Sequence, residues 1–409
     1  MTLAIPPLAR LPEEWVESLH SQGGRAFHAK QVFRWLQARG VLDPLKMTDL
    51  PAELRANLVP LEIGRTMQVR DERVAADGTR KLLAALRDGA VVETVLIPGV
   101  TGGRGRLPSP VRAPTPTDLD ADAAAAVEDE DDPDGESASV GEPVRVTQCI
   151  STQVGCAMGC VFCASGVAGL KRHLGADEIV AQVLAGRASL ADGQRLSNVV
   201  FMGMGEPLHN YEATCRALRL LTHPDGVGLS ARRVTVSTSG LIPEIARLGE
   251  DFGGNVGLAV SLHAADDETR SRLMPINKKY PLARLMEALR AYPLPRRRRI
   301  TIEFTLVAGQ NDDPGKAKKL ARLLRDLPVK INLIPMNPIS ASALGPPSMG
   351  TVLAFQKVLC EAGYSCFIRR RRGDDVSAAC GQLALVGAKP KVRVNRALEV
   401  LRGRGPENH

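Results

Sequence analysis

Aromatic residues are scarce in this chain, with Phe, Trp and Tyr making up 3% of 409 residues. A core built on stacked rings is excluded, so the 44% of hydrophobic residues must fill the interior mainly with aliphatic side chains. Cysteine is also sparse: Cys149, Cys156, Cys160, Cys163, Cys215, Cys360, Cys366 and Cys380 are too few for a disulfide scaffold at this length. No apolar run reaches the roughly 18 residues of a membrane span. The first ten residues lack a basic stretch, and Glu13 and Glu14 follow, so no secretory signal is expected. These absences point to a cytoplasmic protein with no membrane partner, whose thiols stay reduced.

Charge is present but uneven. The chain carries +8 overall. Between Thr101 and Pro143 stand eleven Asp/Glu and three Arg, a local −8, which leaves +16 on the other 366 residues. A body this basic suits a polyanionic partner, most simply nucleic acid. Residues 101–143 combine Gly, Pro, Ala and acid with almost no apolar periodicity, and read as a disordered acidic insertion.

Around that insertion the chain divides into parts. Residues 1–98 read as a small α+β accessory domain, expected to contact RNA. Apolar periodicity places helices at Trp15–Leu19, Ala29–Leu36 and Leu50–Leu58. Alternating runs at Thr66–Glu72, Arg80–Leu86 and Ala90–Ile97, separated by Asp77-Gly78 and Asp88-Gly89, read as a strand meander. Phe27 and Trp35 are expected in the core rather than as platforms for bases. Residues 386–409 form a basic C-terminal tail.

Residues 144–385 repeat a strand-then-helix unit. Strands are expected at Arg145–Ser151, Asn198–Met202, Arg233–Thr238, Val256–Leu262, Ile300–Leu306 and Lys330–Ile334, with a last one at Ser365–Arg370. Helical patterns between them include Asp177–Leu184, Tyr211–Leu221, Pro281–Leu289 and Pro314–Leu324. Six such units fall short of a closed eight-unit barrel. The fold class is therefore α/β, an open (βα)6 partial TIM barrel, with its chemistry expected at the C-terminal ends of the strands.

The sharpest motif lies just past the first of those strands. Cys156-Ala-Met-Gly-Cys160-Val-Phe-Cys163 spaces three thiols as C-x3-C-x2-C. Thiolates are soft ligands suited to iron–sulfur clusters, and three of them can hold three irons of a cubane while the fourth iron stays open. A structural zinc site is the competing reading, but such sites close around four ligands in paired patterns, and no second pair is present. The motif resembles that of radical S-adenosylmethionine (SAM) enzymes, in which SAM occupies the open iron. Further on, Gly203-Met-Gly205-Glu206-Pro207 ends the second strand, where a Gly-rich turn admits a ligand and Glu206 can accept from an amine.

Longer stretches narrow the resemblance. Cys149-Ile-Ser-Thr-Gln-Val-Gly-Cys156, Met202–Pro207, Arg232–Gly240, Ser261-Leu-His263, Met274–Tyr280, Ile331–Asn337 and Arg372–Gln382 are similar to the RlmN-type family. These are dual-specificity RNA methyltransferases acting on adenine C2. The N-terminal Phe27–Leu36, Asp77–Lys81 and Val92–Pro98 fit as well. The resemblance covers nearly the whole chain outside 101–143.

It implies adenosine 2503 of 23S rRNA and adenosine 37 of tRNAs as substrates. It also implies one 4Fe-4S cluster held by Cys156, Cys160 and Cys163, two SAM per turnover, and an electron donor such as flavodoxin or ferredoxin. Gly205, Glu206, Ser237, Ser261, Leu262, His263 and Asn337 match the family's SAM contacts. Cys380 matches the cysteine that becomes S-methylated, Cys149 its resolving partner in a transient disulfide, and Glu93 the proton acceptor. Adenine C2 is not nucleophilic, whereas a thiolate can take a methyl group and carry it to the base. Two alternatives remain: methylation at adenine C8 by the same chemistry, and a noncatalytic RNA-binding iron–sulfur protein. The enzyme is expected to act as a monomer.

Overall fold

The computed structural model describes residues 5–21, 23–99, 143–369, 372–379 and 381–383. Cys380, the acidic segment apart from Pro143, and the tail 386–409 lie outside the described residues.

The chain begins with helices α1 (Pro12–His20), α2 (Ala26–Phe33) and α3 (Ala52–Leu58). Pro12 sets the first turn of α1, and the Glu14 carboxylate turns back to accept from the Leu11 amide at 2.8 Å. Trp15 and Leu19, one turn apart, bury the same face. α2 runs on into a π-helical turn at Arg34–Ala38 that buries Leu36. Phe27 departs from expectation: it is 56% exposed, because its place on α2 faces away from the stripe formed by Ala29, Val32 and Phe33. Trp35 packs partly against the core, with the Arg39 guanidinium 4.0 Å above its ring.

Strands β1 (Met67–Val74), β2 (Arg80–Leu86) and β3 (Val91–Pro98) form the expected meander. It is not a separate sheet. β3 pairs antiparallel with β4 (Val144–Cys149), so the meander extends the core sheet across the boundary placed at residue 98. The reason is on β3 itself: residues 92–96 are buried without alternation, as in a strand covered on both faces and flanked on both edges.

Beyond β4 come the two-residue strands β5 (Gln153–Val154) and β6 (Arg172–His173), which pair as a small ribbon around α4 (Ala164–Ala168). Then follow α5 (Ala176–Ala188), β7 (Gln194–Phe201), α6 (Tyr211–Thr222), β8 (Val234–Thr238), α7 (Ile242–Phe252) and β9 (Gly257–Ser261). Next are α8 (Asp267–Leu273), α9 (Leu282–Ala291), β10 (Ile300–Leu306), α10 (Pro314–Leu323), β11 (Val329–Pro335), α11 (Met349–Glu361) and β12 (Cys366–Ile368). The main sheet runs β1-β2-β3-β4-β7-β8-β9-β10-β11-β12, parallel from β4 onward. β1 and β12 are its edges, so the barrel is open.

Its core is mainly aliphatic. Ile302, Phe304, Ile331 and Leu333 are wholly buried, each worth roughly 1.5–3 kcal/mol. Side-chain caps begin α8, α10 and α11, where Asp266, Asp313 and Ser348 accept from Thr269, Lys316 and Thr351 amides. Among the described residues no helix is long and apolar enough to cross a membrane.

After β12 the chain returns across the strand ends to the opposite edge of the sheet. There the Gly373 amide donates to Asp77 Oδ2 in the β1–β2 turn at 3.2 Å, and the Ala76 amide donates to Asp375 at 3.1 Å.

Candidate active site

The C-terminal strand ends surround a cavity that opens to solvent. Cys156, Cys160 and Cys163 line it, as do Gly205 and Glu206 after β7. Ser237 on β8, Ser261 on β9, His263 and, past β11, Asn337 complete the expected set. Leu262 does not line the cavity; its side chain is fully buried in the core and its amide donates to the Glu303 carbonyl at 3.0 Å. Cys149 and Glu93 lie on β4 and β3 beside the cavity rather than in its lining.

The cysteine loop is held by short-range forces. Val161 and Phe162 pack into a small apolar cluster with Leu273, Met274, Val307 and Met336. Burial pushes the Cys156 thiol up to about 12, with Cys163 and Glu206 adding to the effect, and Cys160 is likewise raised by burial. Thiols within electrostatic range of one another and of Glu206 gain from a bound cation, which stabilises their charged forms. Among the described residues no three His, Cys, Asp or Glu side chains gather tightly enough to close around one metal ion. A cubane asks less, because each thiolate takes a different iron. The donor set therefore fits an iron–sulfur cluster better than zinc.

Glu206 is buried, and desolvation raises its pKa against the hydrogen bonds that oppose it. Its carboxylate accepts from the Ser239 amide at 2.7 Å and the Leu208 amide at 3.1 Å. The turn that presents it needs glycine. Gly205 has φ +109°, and a Cβ there would come within 2.7 Å of Gln153. Gln153 in turn accepts from the Glu206 amide at 2.8 Å.

His263 stands in the left-handed region at φ +55°, a strained conformation outside glycine. Its Nδ1 accepts from the Thr305 amide at 2.8 Å, which leaves the proton on Nε2. Burial, with Arg270 nearby, holds its pKa down at about 3, so the ring is neutral at physiological pH.

On the other side, strand pairing brings Glu93 and Cys149 together. Val95 pairs with Cys149, and Glu93 lies two residues along β3, so both side chains share one face of the sheet. Glu93 is 5% exposed and pairs with Lys81 Nζ at 3.1 Å. The 101–143 insertion does not keep Glu93 and Cys149 apart, because β3 and β4 pair directly. Cys380 lies outside the described residues; its neighbour Gly381 lines the cavity and accepts from the Ala164 amide at 2.8 Å.

Several supporting residues had escaped the sequence reading. The Ser151 hydroxyl donates to the Glu93 carbonyl at 2.7 Å and accepts from the Met204 amide at 2.9 Å. Gln182 on α5 caps both backbone groups of Ser151 at 2.9 Å. Arg270, fully buried and lowered to about 10 by desolvation, donates to the carbonyls of Ser239, Leu262 and Ser261 at the ends of β8 and β9. Glu303 lines the cavity and pairs with Arg369 at 3.3 Å, while Arg372 lies 3.8 Å from Asp77. Those arginines are thus engaged within the chain. The Arg296–Arg299 run lies before β10, at the strand ends opposite the cavity. Only Gln182 and Glu303 carried a sequence signal, a polar type inside a strand- or helix-forming apolar stretch.

Comparison with known proteins agrees with this geometry. The model of the Radical SAM superfamily matches residues 150–321, and that of the ribosomal RNA large subunit methyltransferase N-terminal domain matches residues 13–61. A crystal structure of a radical SAM methyltransferase from Sphaerobacter thermophilus superposes with a TM-score of 0.77 at 39% identity, covering 93% of this chain and 99% of that one. Fold and cavity thus define a radical SAM enzyme, with one 4Fe-4S cluster and SAM as its cofactors.

The chain is 69% identical over 387 residues to the dual-specificity RNA methyltransferase RlmN of Sorangium cellulosum, covering 95% of this chain and 97% of the relative. It is 43% identical to the RlmN of Syntrophobacter fumaroxidans, over 91% of this chain and 94% of that one. Within the radical SAM class, the chain belongs to the RlmN family of RNA methyltransferases.

Proposed function

We propose that this enzyme methylates C2 of adenosine 2503 in 23S rRNA and of adenosine 37 in tRNAs, through an S-methylated Cys380. The observation that carries the reading is the meeting of two chemistries at one set of strand ends. The cysteine loop and Glu206 line the cavity, while Glu93, Cys149 and the segment next to Cys380 gather beside it.

Cys156, Cys160 and Cys163 would hold the cluster. When bound, the cluster with SAM supplies the one-electron chemistry that activates an otherwise inert methyl group. Glu206 offers a buried carboxylate to the SAM amino group. Gly205, Ser237, Ser261, His263, Asn337 and the Leu262 backbone orient the rest. The Cys380 thiolate takes a methyl group from one SAM, with S-adenosylhomocysteine as the leaving group, and presents that carbon to adenine. Glu93 takes the C2 proton. The Cys149 thiolate then attacks the Cys380 sulfur, forming an S–S bond as the carbon–sulfur bond breaks; the released carbon keeps the electron pair and takes a proton to become the C2 methyl group, and the disulfide is later reduced. The basic body, at +16 outside the acidic segment, favours RNA phosphates. The reading also includes a monomer working in the cytoplasm, with reduced flavodoxin or ferredoxin as electron source.

The test is anaerobic turnover of the reconstituted enzyme on a 23S rRNA fragment and on tRNA, with nucleoside mass spectrometry. Formation of 2-methyladenosine in both RNAs is expected. The 8-methyl isomer would overturn the regiochemistry. RNA binding without SAM cleavage would overturn the enzyme reading altogether.

A further inference from the structure

A buried lysine that the proposed chemistry does not use stands between two of its parts. Lys81 on β2 pairs in register with Val95 on β3, which pairs with Cys149 on β4. Directly opposed residues in a sheet share a face, so Lys81, Val95 and Cys149 form one row across three strands. Glu93, opposite Leu83, occupies the next row on that face. Lys81 and Glu93 side chains are 9% and 6% exposed, with Nζ 3.1 Å from Oε1. An ammonium this buried is costly unless it is paired and hydrogen-bonded. Its other partner is the Ser377 carbonyl, which accepts from Nζ at 3.2 Å.

Ser377 lies three residues before Cys380, in the segment that returns across the barrel mouth. Before Ser377 that segment is docked on the β1–β2 turn. Asp77 accepts from the Gly373 amide, and the Ala76 amide donates to Asp375. The fit is close: a Cβ on Gly373, which has φ +62°, would come within 2.9 Å of Thr79 and 2.7 Å of Ala378. After Cys380, Gly381 is held by the Ala164 amide on the cysteine loop's own helix, α4. The segment around position 380 is thus anchored on the β1–β2 hairpin on one side and on α4 on the other.

We propose that Lys81 is a positioning residue that fixes the Glu93 carboxylate relative to the Cys380 segment, so that base and carbon-bearing thiol meet the same adenine. The inference rests on the roles given above to Glu93 and Cys380. A base contributes only from hydrogen-bond reach of its proton, and one ammonium bonded to both parts sets that distance. Lys81 itself touches no reacting atom.

The test uses full-length, cluster-loaded enzyme, comparing wild type with Lys81→Met, Lys81→Arg and Glu93→Ala. Two quantities are read separately: S-methylation of Cys380 by protein mass spectrometry, and the covalent RNA–protein adduct by denaturing gel. For Lys81→Met, S-methylation is expected to stay within about threefold of wild type. Resolution of the adduct to free product should slow by about 10- to 100-fold, a partial loss of what a positioned base supplies. Glu93→Ala should accumulate the adduct more strongly still. Lys81→Arg, which keeps charge and donors, should restore resolution to within about fivefold. Hydrogen–deuterium exchange of the peptide 372–383, measured without SAM or RNA, should rise in Lys81→Met and not in Glu93→Ala.

Lys81→Met resolving the adduct at the wild-type rate, while Glu93→Ala does not, would overturn the positioning role and leave the base intact. Wild-type resolution by Glu93→Ala would remove the base, and with it the role of Lys81. Should Lys81→Met fail to fold, failure of Lys81→Arg to resolve the adduct despite a folded, cluster-bearing protein would overturn the proposal. Normal resolution by Lys81→Arg beside unprotected exchange in an Asp77→Ala variant would support the same anchorage.

Discussion

The two sides of this active site are assembled by different means. On the cluster side, three thiols sit within eight consecutive residues and one loop, packed against a local apolar cluster. On the transfer side, Lys81, Glu93, Cys149 and the 372–383 segment come from separate strands and loops, with Lys81 and its acceptor Ser377 296 residues apart. The first side depends on spacing along the chain. The second depends on sheet register and on a return crossing of the barrel mouth. The cluster side should therefore fail all at once when a ligand is lost, whereas the transfer side should fail step by step.

The largest effect tests the first half of that contrast. Cys156→Ala removes one of three neighbouring donors, and the other two cannot replace it. Iron content should collapse, and SAM cleavage should fall by at least about a thousandfold, ~4 kcal/mol in barrier terms. RNA binding should be unchanged, since it depends on the basic body. Iron analysis, SAM-cleavage assay and a filter-binding measurement check the three parts. Retention of cleavage would show that the cysteine loop is not the cluster site.

Next comes Cys149, the proposed resolving thiol. Cys149→Ala leaves the cavity lining untouched, because Cys149 is not part of it. SAM cleavage and Cys380 methylation should persist, while release of 2-methyladenosine slows by about 100-fold or more and an RNA–protein adduct builds up. Free product at the wild-type rate would remove Cys149 from the reaction and break the stepwise picture.

This division also explains what could be read from the sequence. The six strands of the barrel were legible as short strand-forming runs between helical patterns; Ile300–Leu306 alternates apolar and polar residues along its length, although all seven are buried. The cysteine loop was legible because spacing alone carries its meaning. The extension of the sheet by β1–β3 was not, since nothing in a meander says which edge it will join. Gln182, Ser151, Arg270 and Lys81 stayed hidden for a related reason. A buried polar residue is recognisable only once its partners are known, and theirs lie on other elements. Phe27 was misplaced because one position's shift around a helix turns a side chain from core to solvent, and the apolar cluster at Phe27–Leu36 did not fix that phase. Cys360 is half-buried, and a hydrogen bond that it accepts from Cys366 lowers its pKa to about 7.

Gln182 offers a way to strike both sides together. Through Ser151 it supports the Glu93 strand on one flank and the Met204 turn on the other. Gln182→Leu keeps the volume and leaves the Ser151 amide and carbonyl buried without these partners. Denaturant unfolding should show a loss of about 2–3 kcal/mol, the penalty of stranded polar groups. Both SAM cleavage and adduct resolution should decline in parallel. A loss confined to one of them would show that the two sides are less joined than Ser151 makes them.

His263 gives the smallest expected effect, and one that belongs to the cluster side alone. Its ring accepts the Thr305 amide through Nδ1 and meets Phe162 edge-on at 4.8 Å, so the folded protein favours the neutral form. The folded pKa is about 3, against an ordinary value near 6.5. A depressed pKa means that the unfolded chain takes up a proton first as pH falls. Stability is therefore full above about pH 6.5 and declines from there toward pH 3, by about 1.4 kcal/mol per pH unit while the folded ring stays neutral. Between pH 6.5 and 5 the loss from this group should be about 2 kcal/mol. Denaturant unfolding of wild type and His263→Asn at the two pH values isolates it: the variant should be less stable at pH 6.5 but should lose less on acidification. Equal acid sensitivity in both proteins would mean that the ring is protonated in the fold, and the Thr305 amide would then need another acceptor.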